Sequence, residues 1–357
     1  MDPRIPKIAK VLIESVEVRK GQTILINADI LARPLILELY RQIIKKGAYP
    51  RLNLGMDGLS PIFYNNASEE QIRHFPEIAW YEAKKCDSHI MISAPKDIYE
   101  LRNVDPRKLS LRSKITNKLH FETQGKPWVG TDYPTEAYAR NAKMPLKEYT
   151  DFVFNSALHE IGHELKKLKK VKQILERGDK VRIIGKNTDI SFSIKGRIAK
   201  GVEDYHKKNV PDGEIYTAPH IKSVNGHIQF TYPAIIGGRE VPRVFAEFRN
   251  GYLVRLRADK NLDALKSKLA TDENAAYLGE FGIGMNPKIN RFTKNLLFDE
   301  KIGGTIHLAF GMAYKDCGGT NRSSSHQDIV KDLRPKFGGG EVWIDDKLLI
   351  KDGKFML

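Results

Sequence analysis

Residues 22–55 have the sequence QTILINADILARPLILELYRQIIKKGAYPRLNLG, and their pattern indicates the class of fold. QTILINAD (22–29) alternates in the manner of a strand, and RPLILELYRQIIKKG (33–47) has apolar residues at helical spacing and ends in a glycine. PRLNLG (50–55) then has the pattern of a second strand. This order predicts a β-α-β unit with two parallel strands. The sequence therefore predicts an α/β fold.

The pattern continues along the first half of the chain. SEEQIRHFPEIAWYEAKKC (68–86) predicts a helix that opens with a Ser-x-x-Gln capping pattern, and SHIMISAP (88–95) predicts a further buried strand. Strands that alternate with helices in this way are typical of an open parallel sheet with helices on its faces. We therefore predict an N-terminal domain of this Rossmann-like type.

The sequence pattern changes near residue 178, from helical spacing to short alternating stretches. A helix is predicted from about Pro145 to Arg177, and beyond it short alternating stretches with turn residues such as Asn250-Gly251 predict hairpins. This pattern is typical of an α+β domain rich in short strands. We therefore predict two domains, an N-terminal α/β domain over 1–178 and a C-terminal α+β domain over 179–357.

Composition indicates an ordinary globular protein of 357 residues, of which 41% are hydrophobic. Charged or polar residues interrupt the apolar runs well before the length that a bilayer requires, so we expect no transmembrane helix. The N-terminal residues lack the basic head, apolar middle and small-residue cleavage site of a secretion signal. We therefore expect a cytoplasmic protein.

The chain contains two cysteines, Cys86 and Cys317. They are far apart in sequence and too few to form a disulfide framework or a Cys-based zinc site. Any metal would therefore be held by histidine and carboxylate side chains.

The formal net charge of +15 raises the question of nucleic-acid binding, because Lys and Arg provide the sequence-independent part of phosphate binding. The basic stretch KKLKKVKQ (166–173) lies in a predicted helix, where a run of charge usually coats the solvent-facing side. Gly-x-Gly-x-x-Gly, Walker and RNA-recognition motifs are absent from the sequence. A basic nucleic-acid-binding protein without enzymatic activity is therefore kept only as an alternative.

HEIGH, residues 159–163, matches the H-E-x-x-H pattern, in which two imidazoles of one helix face hold zinc beside a carboxylate that activates water. The predicted helix becomes polar directly after the second histidine, and the following segment offers no convincing third ligand. We therefore favour a helix at the surface or at a domain interface. The alternative is a zinc endopeptidase that uses His159, Glu160 and His163.

A stronger set of candidate ligands lies in the second half of the chain, in loops and at the ends of predicted strands. These candidates are Glu214, Glu280, Glu300, His307, His326 and Asp328, and Tyr314 lies near them in sequence. His326 and Asp328 are two positions apart on a predicted strand, so their side chains point to the same side and can bind one cation together. Taken singly, Glu280 and Glu300 could equally well be ordinary surface carboxylates as metal ligands. In the same way, His307 could equally well be a hydrogen-bonded histidine of the core.

The motifs around these residues resemble those of a known family. They are Glu-x-x-Thr-Ala-Pro from Glu214, Leu-Gly-Glu ending at Glu280, Asp-Glu followed by Gly-Thr-x-His-x-Ala-x-Gly around His307, and Ser-x-x-His-x-Asp ending at Asp328. In this order they resemble the thermophilic aminopeptidases, which are dimeric enzymes with a two-metal site. KNTDISFSIKGR (186–197) and the closing strands are also similar to that family, and the N-terminal β-α-β part is similar to its non-catalytic domain.

This resemblance implies a site, a cofactor and partners. It implies that the metal ligands are Glu214, Glu280, Glu300, His307, His326 and Asp328, and that Tyr314 supplies a catalytic hydroxyl. Ligation by histidine and carboxylate suits two divalent ions per subunit, Zn, Co or Mn. The family does not use an H-E-x-x-H, and its spacing between the residues matching Glu300 and His307 is shorter than the seven positions found here. The resemblance also implies a homodimer.

The residue types indicate a mechanism of peptide hydrolysis. Two divalent ions would lower the pKa of a shared water and polarise the scissile carbonyl. Either Glu214 or Glu280 would take the proton of this water and return it to the leaving amine, while Tyr314 would donate a hydrogen bond to the oxyanion. A free amino terminus would meet a metal or an acidic side chain. We therefore predict a metal-dependent aminopeptidase that releases N-terminal amino acids from peptides.

Overall fold

A computed structural model describes residues 2–159 and 161–357, apart from the side chains of residues 120, 121, 124, 161 and 163. The helices of the described chain are α1 (Ile5–Ser15), α2 (Arg33–Lys45), α3 (Leu59–Asn66), α4 (Glu69–Arg73), α5 (Glu77–Lys85), α6 (Pro106–Gln124), α7 (Glu136–Asn141), α8 (Leu146–Leu158), α9 (Ile161–Arg177), α10 (Leu262–Leu269) and α11 (Leu296–Asp299). Its strands are β1 (Thr23–Asp29), β2 (Tyr49–Gly55), β3 (Ser88–Ser93), β4 (Trp128–Asp132), β5 (Lys180–Gly185), β6 (Thr188–Ser193), β7 (Asn209–Val210), β8 (Glu214–Thr217), β9 (Asn225–Gln229), β10 (Ala234–Ile236), β11 (Arg239–Val241), β12 (Phe245–Arg249), β13 (Tyr252–Arg257), β14 (Leu278–Gly284), β15 (Thr305–Gly311), β16 (His326–Asp332), β17 (Gly340–Ile344), β18 (Lys347–Lys351) and β19 (Lys354–Phe355).

The chain forms two compact units. The first comprises Met1–Leu158 and Tyr205–Pro211, and the second comprises His159–Asp204 and Asp212–Leu357. The helix predicted from Pro145 to Arg177 is in fact two helices, because α8 belongs to the first unit and α9 to the second. The first segment of this unit thus ends at Leu158, before α9, whereas the predicted domain boundary lies after α9, at residue 178. The predicted boundary stays a prediction.

The first unit contains a parallel sheet with the strand order β2-β1-β3-β4-β7. The predicted β-α-β unit is confirmed, since β1 and β2 pair in parallel and α2 connects them. β1 lies between two strands, and its residues Ile24 and Ile26 are fully buried. The short strand β7 comes from a later part of the chain and pairs with β4, which the sequence pattern does not reveal.

The predicted helix over 68–86 is interrupted. Ser68 forms the predicted capping box with Gln71, but this helix, α4, ends at Arg73, and α5 begins only after Pro76. Proline disfavours a helical conformation in the residue before it and has no N–H to donate, which separates the two helices here.

The second unit is built from antiparallel strands. One sheet has the order β13-β12-β9-β6-β5-β17-β18-β19, and a second has the order β16-β15-β14-β8. The aromatic side chains of the two sheets meet in the core, where the ring of Phe281 lies 5.3 Å from that of Phe192 and the ring of Phe310 lies 5.9 Å from that of Phe248. The second sheet therefore buries one face and leaves its other face for polar side chains.

The hairpin predicted at Asn250-Gly251 is confirmed. It joins β12 and β13, and both turn residues have positive φ, 50° for Asn250 and 84° for Gly251. Asn and Gly accept this left-handed conformation, which a two-residue hairpin turn requires.

The basic helix α9 buries one side and exposes the other. Leu168, Val171 and Leu175 are buried, at the spacing of one helix face. Lys166 and Lys169 are exposed, as expected for a solvent-facing run of charge. Among the described residues, no helix is both long enough and apolar enough to cross a membrane.

Candidate metal centre

Four neighbouring strands present the candidate ligands on one face of the second sheet. Glu214 lies on β8, Glu280 on β14, His307 on β15, and His326 and Asp328 on β16. Side chains alternate between the two faces of a strand. The residues next to the candidate ligands in sequence face the core, so the ligands themselves lie on the opposite face of the sheet. Five of the six predicted ligands are therefore brought together by the pairing of these strands.

Two small residues make room for the ligands. Ala309 lies opposite both Glu280 and Asp328 in the register of the sheet, and Gly282 lies opposite His307. A Cβ atom placed on Gly282 would lie 2.0 Å from Nε2 of His307, so the imidazole occupies the space that a side chain would need. A glycine within a strand often marks such a close approach, which is the sequence signal that would reveal this position.

The ligands form two groups that share Glu280. Glu214, Glu280 and His307 form one group, and Glu280, His326 and Asp328 form the other, with ligand atoms in each group lying within 4.8 Å of one another. Glu280 directs Oε1 to Nε2 of His307 at 3.3 Å and Oε2 to Nε2 of His326 at 3.2 Å. One carboxylate thus faces both groups.

Backbone carbonyls orient both imidazoles. Nδ1 of His307 lies 3.1 Å from the carbonyl oxygen of Glu300, and Nδ1 of His326 lies 2.9 Å from that of Met312. A carbonyl only accepts, so each Nδ1 carries the hydrogen and each Nε2 points to the carboxylates. This arrangement presents Nε2 as a metal ligand.

The site holds negative charge away from water, and the pKa values of its groups respond. Burial, and after it the charge of the neighbouring Glu300, raise the pKa of Glu214 to about 8. Burial lowers the pKa of His307 and of His326, but the surrounding carboxylates outweigh this effect and raise them to about 10 and about 12. Protons and divalent ions therefore compete for these imidazoles.

The residues present fit divalent cations. Oε2 of Glu214 and Oδ1 of Asp328 are buried and make no hydrogen bond within the described part of the chain. A buried carboxylate oxygen without a hydrogen bond is unfavourable, and a bound cation would satisfy it. Oxygen and imidazole nitrogen donors suit Zn, Co or Mn.

Glu300, the sixth predicted ligand, lies outside both groups. It follows α11, and its carboxylate pairs with the ammonium of Lys301. Lys301 is fully buried, and its Nζ is also 3.5 Å from Oε1 of Glu214. Sequence reasoning missed Lys301, because a lysine beside a glutamate is ordinarily a surface pair.

Tyr314 lies at the edge of the site. Its ring is 5.4 Å from the ring of Tyr216 and 5.4 Å from that of His326. Burial raises the pKa of its hydroxyl, and Glu280 and Asp328 raise it further, so the group is a hydrogen-bond donor at neutral pH. The described residues leave this hydroxyl without a hydrogen bond, while the hydroxyl of Tyr216 donates to Asp204.

The H-E-x-x-H motif falls mostly on positions that lie outside the described residues, namely Glu160 and the side chain of His163. His159 is described, and it is not a member of either metal-binding group. The two cysteines, Cys86 and Cys317, are buried free thiols.

Two imidazoles and three carboxylates lie on one buried sheet face beside a phenol, and this donor set suits divalent cations. The chain matches the thermophilic metalloproteases (M29) over residues 1–355 and belongs to this family. It is therefore a metallopeptidase, and the predicted resemblance to the thermophilic aminopeptidases is confirmed.

Three proteins with similar sequences are aminopeptidases. The sequence is 38% identical to aminopeptidase T of Thermus thermophilus over 114 residues, which are 30% of this chain and 27% of that protein. It is 24% identical to aminopeptidase AmpS of Bacillus subtilis, over 89% of this chain and 86% of the relative. It is 23% identical to aminopeptidase 2 of Geobacillus stearothermophilus, over 99% and 95%.

The solved structure of wild-type AmpT from Thermus thermophilus has a similar fold. It superimposes with a TM-score of 0.86 over 99% of each chain, at 22% sequence identity. The chain therefore has the same mixed α/β fold as AmpT, with a parallel sheet and many short antiparallel strands.

Proposed function

We propose that this protein is a metal-dependent aminopeptidase that releases N-terminal amino acids from peptides. The observation that carries the proposal is the pair of metal-binding groups that share Glu280. Membership of the metalloprotease family and the aminopeptidase names of the relatives support it. The zinc endopeptidase and the nucleic-acid-binding protein are less well supported, since neither alternative accounts for these groups.

The proposed cofactor is a pair of divalent ions per subunit, Zn, Co or Mn. His307 would hold one ion with Glu214, and His326 would hold the other with Asp328, while Glu280 serves both. When bound, the ions would supply a Lewis acid and a water of lowered pKa. The proposed homodimer and the cytoplasmic location stay predictions.

Three side chains of the site have separate proposed roles in ligation, proton transfer and stabilisation of the oxyanion. Glu280 directs one oxygen to each group, which suits the shared ligand. Glu214 is then the proposed carrier of the proton from water to the leaving amine. The hydroxyl of Tyr314 would donate a hydrogen bond to the oxygen of the attacked carbonyl as that oxygen becomes negative.

Removal of metal is the direct test of this function. We expect exhaustive chelation to abolish hydrolysis of an aminoacyl chromogenic amide, and Co, Zn or Mn to restore it, because the proposed water nucleophile depends on metal. Metal content of the purified protein should be measured beside the rate. Full activity of a protein shown to be metal-free would contradict the proposal.

The second prediction concerns the free amine. We expect a peptide with a free N-terminus to be hydrolysed and the same peptide with an acetylated N-terminus to be resistant, because acetylation removes the positive charge and the lone pair by which a metal or a carboxylate would recognise the amine. Product analysis by mass spectrometry should show loss of single N-terminal residues. Rapid internal cleavage of the blocked peptide would instead indicate an endopeptidase.

A further inference from the structure

Lys301 is a buried ammonium at the edge of the metal centre. Its exposed fraction is 0%, and its Nζ contacts one oxygen of Glu214 and the carboxylate of Glu300. A positive charge is thus built into the same pocket that would bind divalent cations.

The backbone fixes this lysine in place. The carbonyl of Lys301 accepts from the N–H of Asn286, and its own N–H donates to the carbonyl of Phe298. The segment also lies against Gly284, where a Cβ would approach the carbonyl oxygen of Glu300 to 2.9 Å. Lys301 therefore has little freedom to move its backbone away from the site.

The contacts of Lys301 fall on one of the two metal-binding groups. It binds Oε1 of Glu214, whereas Oε2 of the same carboxylate faces Nε2 of His307 at 3.4 Å. In the other group, His326 contacts Asp328 and Glu280, and neither carboxylate forms an ion pair with a lysine or arginine in the described chain. The two groups therefore differ in the charge beside them.

We propose that Lys301 is a positioning residue that makes the two metal sites unequal. Its ammonium would bind the same Glu214 carboxylate that binds the cation of the Glu214–Glu280–His307 group. It also pairs with the Glu300 carboxylate, which is then a counter-ion of Lys301 and not a metal ligand. Like charge and a shared carboxylate both weaken cation binding at this group. The inference rests on the proposed function, since it concerns the metals of that site.

The test is a metal titration of the chelated protein with Co²⁺, by calorimetry and by the absorption of bound Co²⁺. Wild type should bind two ions with two distinct dissociation constants. In Lys301→Met the weaker constant should tighten by about 10–100-fold, the range typical of residues that contact metal ligands, and the tighter one should change by less than about threefold.

Three further variants isolate the cause. Lys331→Met is the matched control, because Lys331 is also buried in the second unit but donates to the carbonyl of Lys186. It should leave both constants unchanged. Lys301→Arg keeps the charge and should keep the inequality, even if Lys301→Met does not fold. Glu300→Gln should still bind two ions, because Glu300 is a counter-ion and not a ligand.

The outcomes separate the two proposals. Two ions bound with unaltered constants in folded Lys301→Met, or loss of one ion in Glu300→Gln, would overturn the role of Lys301 and leave the proposed function standing. Failure of wild type to bind any divalent ion would overturn the proposed function itself. Equal constants in wild type would also refute the inequality.

Discussion

Glu280→Gln is expected to reduce kcat/KM by about 10³-fold or more, which corresponds to about 4 kcal/mol of transition-state stabilisation. Glu280 is the carboxylate common to both metal-binding groups, with one oxygen directed to each imidazole. Glutamine keeps the size of the side chain but has no charge and only one acceptor oxygen. Both proposed sites would therefore lose a ligand in a single substitution.

The measurement pairs steady-state kinetics with metal analysis of the same preparation. Metal content should fall together with the rate, and excess metal should restore little activity. Glu164→Gln is the matched control, because Glu164 is a buried carboxylate of the second unit that lies outside both groups. It should retain metal and activity. A Glu280→Gln enzyme with wild-type metal content and rate would remove Glu280 from the centre.

The same assay tests the alternative hypothesis of a zinc endopeptidase. That hypothesis requires His163 as a ligand, so His163→Ala would abolish activity, while the metal centre described above predicts that it has no effect on the rate. His326→Ala gives the opposite expectation, since His326 contacts both Glu280 and Asp328. The pair of variants therefore distinguishes the two sites by a reversal of effect.

Sequence patterns predict the parts of this fold that local spacing determines. The β-α-β unit follows from the alternation of residues 22–29 and the helical spacing of 33–47, and the structure confirms it. The strand β7 could not be predicted, because its pairing with β4 joins segments that are distant in sequence. Long-range pairing of so short a strand leaves no local pattern.

The candidate site was accessible from sequence through its residue types and their order. Spacing of two along β16 correctly places His326 and Asp328 together, whereas Glu214 and Glu280 join them only through strand pairing. Glu300 lies outside the two groups, and its role as a ligand stays a prediction. The ion pair between Glu300 and Lys301 could not be predicted, because it depends on the burial of Lys301, which a Glu-Lys pair in sequence does not reveal.

Tyr314→Phe is expected to lower kcat by about 10²–10³-fold, or about 3–4 kcal/mol, by analogy with the removal of one oxyanion donor. Its hydroxyl lies near Glu280 and Asp328, is protonated, and makes no hydrogen bond within the described residues. A donor that no described side chain or backbone carbonyl occupies can serve a negative charge that develops only in the transition state. KM and metal content should therefore change little.

Tyr216→Phe is the control that separates this role from a purely structural one. Tyr216 packs against Tyr314, but its hydroxyl donates to Asp204, so removing that hydroxyl should affect stability more than kcat. If Tyr314 instead served only to fill space, its phenylalanine variant would behave in the same way as that of Tyr216. A kcat within about threefold of wild type, or less than about 0.7 kcal/mol, would exclude Tyr314 from the chemical step, since an oxyanion donor contributes several times that amount.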